Sequence, residues 1–360
     1  MSFIPIHTAF TLNGNKLSVG GLKEFAHECI KMGEFYEEQM GSFLLEWLND
    51  KNHIMVNTSG STGDPKSIKI FKTHMANSAL ATQKHFKLPE GTTALLCLPV
   101  RYIAGKMMLV RAMVLGWRID VVHPRSNPLD TVFKRYDFCA MTPFQLDHSV
   151  ARLHLIAKMI VGGGPFSESL KQLVQNVDTK VYETYGMTET VSHIAARRIN
   201  SKKTKPDGNP FKTMSKVTVS KDSRGCLVIK APEVSVDPVV TNDMVDLISY
   251  KKFVWLGRID NVVNSGGIKL FPEQIEMKLA PQLDVDFFVT GEPDDALGEK
   301  IILILETESV ETAKLDFSPL SAYEVPKAVY CTPSFKRTET GKVKRGATLL
   351  SLKSDGQVTS

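Results

Sequence analysis

Paired cysteines are missing from this chain. The five it has, Cys29, Cys97, Cys139, Cys226 and Cys331, are odd in number, widely scattered and never spaced as CxxC. That excludes a zinc ribbon and gives no sign of a disulfide framework, so a reducing cytoplasm is the expected home. Long apolar runs are missing too. The best candidate, Met107 to Trp117, is interrupted by Arg111 and falls short of the roughly 18 residues a membrane span needs. The opening MSFIPIHTAF lacks a basic region followed by an apolar core, so no signal peptide is expected. Charge of one sign is scarce: 44 Lys and Arg against 39 Asp and Glu leave +5 over 360 residues. This is too mild for a nucleic-acid partner, although it suits anionic small molecules.

What is present is the composition of a globular protein, 42% hydrophobic and 23% charged. The length predicts two domains of unequal size. From Ile54 to about Tyr185, short apolar runs (54–57, 94–98, 119–122, 137–141, 158–161) alternate with helical patterns at His74–Phe86, Lys106–Leu115 and Ser167–Gln175. This alternation predicts an α/β fold with a mostly parallel sheet covered by helices. After Arg198 the texture changes to short strand signals at 216–220, 226–230 and 253–256, a small β subdomain over about 211–257. A last α+β region begins near Asp260. The expected boundaries are 1–259 for a large N-terminal domain and 260–360 for a small mobile one.

Between Asn57 and Lys66 the chain reads NTSGSTGDPK. Thr58, Ser59, Gly60, Ser61, Thr62 and Gly63 are too small and polar to pack a core. They suit wrapping a phosphate chain with backbone N–H and hydroxyl donors, to which Lys66 adds a positive charge. A Walker A loop is disfavoured, because Pro65 occupies its second glycine position and has no N–H to offer.

Four further stretches follow in order: YGMTET at 185–190, TND at 241–243, GRID at 257–260 running through Gly266-Gly267 to PEQIE at 272–276, and TGKVKR at 340–345. With the Thr58 loop they resemble the motifs of the acyl-adenylate-forming superfamily, which includes acyl- and aryl-CoA synthetases, adenylation domains and luciferases. Asn242 and Asn261 stand where that family usually has glycine and aspartate. The resemblance runs from Thr58 to Arg345; fuller members carry a longer N-terminal portion.

The resemblance implies ATP, Mg²⁺ and coenzyme A as reactants. Thr188 would meet the α-phosphate and Glu189 would hold the metal. Tyr185, with the Gly163-Gly164 backbone, would lie against adenine, and Asp243 and Arg258 would bind the ribose. Lys342 would stabilise charge in the adenylation transition state. Gly266-Gly267 would edge the pantetheine path, although paired glycines also simply mark hairpins. Asp260 would be the pivot of the small domain.

For the acid, LLCLPVRYIAGKMMLVRAMVLGW lies where the family has an acid-pocket helix, with Tyr102 at a frequent histidine position. Arg111 among apolar neighbours is costly to bury without an anion, so the acid is expected to carry a second carboxylate; snorkelling to the surface or pairing with an internal acid is the alternative. YGMTETVSHIA resembles the corresponding stretch of the o-succinylbenzoate–CoA ligase branch, which adds Ser192 and His193 to the substrate side, His193 replacing a glutamine. Other acyl- or aryl-adenylating activity, loading of a separate carrier protein, and a degenerate nucleotide-binding protein remain as alternatives. A homodimer through the face left by the shorter N-terminus is a further option.

Overall fold

The computed structural model describes residues 4–58, 66–164, 166–201, 209–308, 315–337 and 343–354. Its centre is a twelve-stranded sheet. Strands Thr11–Leu12, Arg118–Val121, Thr93–Leu96, Tyr136–Met141, Ile156–Val161 and Lys180–Gly186 lie side by side and parallel. Alternate residues of these strands enter two separate cores. Ala94, Leu96, Phe138, Ala140 and Ile160 join one, whereas Leu95, Cys139, Met141, Met159 and Val161 join the other. Burial on both faces is why these strands read as unbroken apolar runs.

From Lys180–Gly186 onward the same sheet continues antiparallel through His193–Arg198, Phe211–Thr213, Lys252–Arg258, Val239–Ser249, Cys226–Lys230 and Thr218–Lys221. The β subdomain expected over 211–257 is thus hydrogen-bonded into the main sheet. The strand at His53–Thr58 is not part of it. It pairs antiparallel with Lys66–Phe71 in a separate two-stranded ribbon, which corrects the expectation that the parallel sheet begins at Ile54. The apolar run was legible, but period alone does not name a strand's partner.

Two helices that hydrophobic spacing had not singled out, Val19–Met32 and Phe35–Leu48, place Leu22, Ala26, Met40, Phe43, Leu44 and Trp47 in the larger core. Helix Ile103–Leu115 is buried almost all round and stops at Gly116, whose φ of +70° suits a left-handed cap and whose N–H bonds to Ala112 O. Helix Lys72–Phe86 packs beside it. No helix among the described residues is long and apolar enough to cross a membrane.

Beyond the single turn of 3₁₀ helix at Ile259–Asn261 lies a second, five-stranded sheet of Val263–Ser265, Ile268–Leu270, Phe287–Asp294, Gly298–Glu306 and Ala328–Thr332. It has its own apolar clusters, one including Ile275, Val289 and Leu303, the other Phe288, Ile302 and Ile304.

Candidate active site

Ligands of open α/β sheets bind beyond the carboxyl ends of the parallel strands, and two adjacent strands end in the expected motifs. Ile156–Val161 runs into Gly162-Gly163-Gly164, and Lys180–Gly186 runs into the turn Thr188–Thr190. At Gly162 a Cβ would lie 2.6 Å from Thr184 Oγ1, whose hydroxyl donates to Val161 O at 3.0 Å. Close approach of the two strand ends therefore requires glycine there. Gly163 has φ of +84° and open space around its α-carbon.

Tyr185, near the end of its strand, packs its ring against Phe211 and Phe253. Its hydroxyl donates to Asp243 Oδ2 at 2.6 Å, and Trp255 Nε1 donates to Asp243 Oδ1 at 3.2 Å. Burial, then the neighbouring Asp243 charge, pushes the phenol far above its ordinary range, so it remains a donor. Asp243 faces Arg258 in the antiparallel register of their two strands. Arg258 Nη2 donates to Asp260 Oδ2 at 2.7 Å, and Asn242 Nδ2 lies 3.3 Å from both oxygens of Asp260. Tyr185, Asp243, Arg258 and Asp260 thus form one contiguous polar edge. Trp255 and Asn242 were not singled out from the sequence as members of it.

Thr188 is half-buried and Glu189 exposed. Among the described residues no group of three His, Cys, Asp or Glu side chains is arranged to hold a metal ion. A single exposed carboxylate at the mouth fits Mg²⁺ held largely through phosphate oxygens, a common arrangement for that ion.

The side expected to take the acid has Arg111 at its centre, only 2% exposed within its helix. Its Nε donates to Thr82 Oγ1 at 3.2 Å and its Nη2 to Ser192 Oγ at 3.1 Å, with His193 Nδ1 at 3.5 Å and Met108 Sδ 3.7 Å from Nη1. Thr82 donates to Ser78 O at 2.9 Å, and its Oγ1 lies 3.3 Å from His193 Nε2. Ser78 and Ser192 hydroxyls are 2.9 Å apart.

These contacts fix a tautomer. A guanidinium only donates, so His193 Nδ1 must accept and the ring proton sits on Nε2, facing Thr82. Burial, then the charge of Arg111 and of His85, holds His193 well below the ordinary imidazole range, consistent with that neutral form. Burial also lowers Arg111 to about 9, so it remains charged at neutral pH. Among the described residues no carboxylate pairs with it. The alternative of snorkelling to the surface is excluded by its burial.

Arg111, Ser192 and His193, singled out from the sequence, are therefore brought together. Ser78 and Thr82 were missed. Their signal was a pair of hydroxyls four residues apart on one helix face, indistinguishable by sequence from ordinary back-bonding to the preceding turn. Tyr102 lies apart from this cluster. It precedes the Arg111 helix, where its hydroxyl meets the Arg101 guanidinium, which lies 4.5 Å from the Tyr102 ring centre. Lys106 is occupied elsewhere, 3.7 Å from Glu46 and over the Phe43 ring.

Gly266-Gly267, with φ of +58° and +81°, turn the hairpin that pairs Ser265 with Ile268. Arg345 at the end of TGKVKR donates to Glu276 Oε2 at 2.9 Å and to Val289 O at 3.0 Å. Ser59, Gly60, Ser61, Thr62, Gly63 and Lys342, together with the side chains of Thr58 and Lys66, lie outside the described residues.

A family model for AMP-binding enzymes matches residues 46–232, just over half of the chain; the match includes Arg111, Tyr185, Thr188, Ser192 and His193 and ends before Asp243 and Arg258. The chain belongs to the AMP-binding enzyme family. It is 26% identical over 330 residues to 2-succinylbenzoate–CoA ligase of Staphylococcus aureus, covering 83% of this chain and 66% of that one. To the enzyme of the same name from Enterococcus faecalis it is 24% identical, covering 80% and 67%. The chain thus spans about two thirds of the length of these curated relatives.

Among solved structures, an acyl-CoA synthetase (AMP-forming)/AMP-acid ligase II-like protein from Dyadobacter fermentans is 36% identical. It covers 92% of this chain and 98% of its own, with a TM-score of 0.61. The o-succinylbenzoate CoA synthetase of Bacillus subtilis, in complex with its acyl-adenylate, shares the fold at a TM-score of 0.71. It is 20% identical and covers 81% of this chain and 68% of its own.

Proposed function

We propose that this AMP-binding enzyme activates an aryl acid bearing a second carboxylate, 2-succinylbenzoate, with ATP, and transfers the acyl group from the adenylate to coenzyme A. The observation that carries the reading is Arg111: buried, charged, hydrogen-bonded only to neutral partners and without a carboxylate among the described residues. A buried guanidinium left without an anion is costly, and a substrate carboxylate is the anion it lacks. The curated relatives with this name support the choice of acid.

In this reading Tyr185 and the Gly163-Gly164 backbone hold adenine, and Asp243 and Arg258 the ribose. Thr188 donates to the α-phosphate, and Glu189 holds Mg²⁺, which neutralises phosphate charge when bound. Lys342 assists departure of pyrophosphate. The region from Asp260 onward acts as a lid that turns between half-reactions, and Gly266-Gly267 lines the path of the thiol. A second reading, loading of a carrier protein, differs only in the thiol acceptor.

ATP–pyrophosphate exchange over a panel of acids tests the first half-reaction. Exchange with 2-succinylbenzoate well above that with benzoate is expected. No exchange with any acid defeats the reading, and equal exchange with both defeats the assignment of the second carboxylate. Adding free coenzyme A then separates the acceptors.

A further inference from the structure

Between the nucleotide side and the acid side the chain makes a tight knuckle. Thr190 N bonds to Met187 O at 3.1 Å, Val191 N to Thr188 O at 2.9 Å, and Ser192 N to Thr190 O at 2.7 Å. The last bond closes a three-residue turn around Val191, whose φ of +66° and ψ of −53° are those of the rare, strained γ-turn. For a β-branched residue this is a true outlier. The other non-glycine residues with positive φ among those described, Asn13, Lys87 and Lys216, are unbranched and exposed. Val191 is 1% exposed and packs in the large core.

The rest of the knuckle holds this conformation. Thr190, fully buried, accepts from Met187 N at 3.1 Å, and its hydroxyl lies 3.0 Å from Met187 O and 2.9 Å from Ser192 O. At Gly186 a Cβ would come within 2.3 Å of Ser192 O, so only glycine lets the two limbs touch. The pairing register of the two strands shifts at this point. Strain of this kind persists only where its surroundings over-determine it, and it concentrates at functional sites.

The turn has a functional residue pair on each side. Thr188 and Glu189 precede it; Ser192 and His193, which contact Arg111, follow it. We propose that Val191 is a positioning residue: its buried side chain pegs the strained turn, and the turn sets the register between the phosphate-facing and acid-facing halves of the site. This rests on the adenylation reading above. In-line attack by a carboxylate on the α-phosphate needs both halves bound and correctly spaced, and a misplacement of about 1 Å can cost on the order of a hundredfold. A branched side chain is disfavoured at this φ, so its presence there calls for a gain elsewhere, and the core anchor supplies one.

Val191→Gly removes the peg and frees φ. ATP–pyrophosphate exchange, normalised to active sites by burst titration, should show kcat lowered about 10–100-fold while KM for ATP and KM for the acid each stay within about threefold. Separate equilibrium titrations with ATP and with the acid should give near-parental affinities. Val191→Ala keeps the Cβ and part of the anchor, and it should fall between the two in kcat with the same unchanged KM values. If Val191→Gly does not fold, Val191→Ala carries the same test.

A kcat per active site equal to the parent's in the folded variants overturns the proposal. So does a matching rise in both KM values with kcat preserved, which would mark a purely structural role. A parent enzyme that exchanges pyrophosphate with no acid removes the adenylation reading and this proposal with it, an outcome distinct from a failing variant of an active parent.

Discussion

The Tyr185 hydroxyl donates to Asp243 at 2.6 Å, across the sheet from one strand's carboxyl end to another strand's middle. It ties the residue proposed to face adenine to the one proposed to bind ribose. Trp255 occupies the other carboxylate oxygen, so Asp243 is held by two donors before any nucleotide arrives. Each oxygen retains a lone pair for a ribose hydroxyl. Tyr185→Phe removes one donor to a buried charge and leaves the ring. KM for ATP should rise about tenfold, near 1.4 kcal/mol, with KM for the acid little changed. Steady-state kinetics with each substrate varied decide it, and an unchanged KM for ATP would dismiss the role of the pair.

Arg111 makes the opposite prediction for function and for stability. Arg111→Met keeps much of the volume and removes a buried charge that has only neutral partners. Thermal stability should hold or rise, because apolar replacements of buried ionic groups are often neutral or stabilising. Discrimination between 2-succinylbenzoate and benzoate in kcat/KM should collapse by about 30–1000-fold, the worth of roughly 2–4 kcal/mol for a desolvated charge-assisted contact. Retained discrimination would move the carboxylate elsewhere, since Lys106 is engaged by Glu46 and Arg101 by Tyr102.

His193 links the same cluster to pH. Its folded-state pKa lies well below its ordinary value, so below about pH 6.5 the unfolded chain binds a proton that the folded chain resists. Stability is therefore full above that pH and declines as pH falls through it. His193→Gln keeps an acceptor for Arg111 and cannot titrate. Urea unfolding at pH 7.5 and 5.5 should show a smaller loss for the variant than for the parent. Part of the loss should remain, because burial also lowers His74 and His85. An identical loss in both proteins would mean His193 is not held neutral.

The doubly buried strands at 94–98, 137–141 and 158–161 were legible because both of their faces are apolar, which leaves little room for another reading. In the antiparallel half the strands at 218–221, 226–230 and 252–258 were legible, those at 193–198, 211–213 and 239–249 were not, and neither was their place in the same sheet, since continuity is set by pairing registers such as Lys212 with Ala196. On the acid side, Arg111 stood out as a charge inside an apolar helix. Ser78 and Thr82 did not, because a helical hydroxyl bonding its own preceding turn looks the same whether or not a guanidinium also uses it. The strained Val191 turn was illegible for a sharper reason. Valine is among the residues least expected at positive φ, so the sequence argues against the conformation that the fold imposes.

Asp260 is held from two sides, by Arg258 at 2.7 Å and by Asn242 at 3.3 Å, and Asn242 also accepts from Arg224 Nη1 at 3.0 Å. Both contacts reach from the large sheet to the single helical turn that leads into the second sheet. If Asp260 is the pivot, these bonds must break when the lid turns. Asp260→Pro removes the carboxylate clamp and fixes φ near −65°, a value that a 3₁₀ turn accepts. The proline variant loses the side-chain bonds and also restricts the backbone, so only a defect beyond that of a variant that loses the bonds alone reports backbone rotation. Asp260→Ala removes the same bonds without fixing φ and is the control. We expect pyrophosphate exchange to survive in both variants. Thioester formation from preformed adenylate should fall at least tenfold, about 1.4 kcal/mol in barrier, in the proline variant only. Equal thioester rates in the two variants would place the pivot elsewhere, or show that this region does not need to turn.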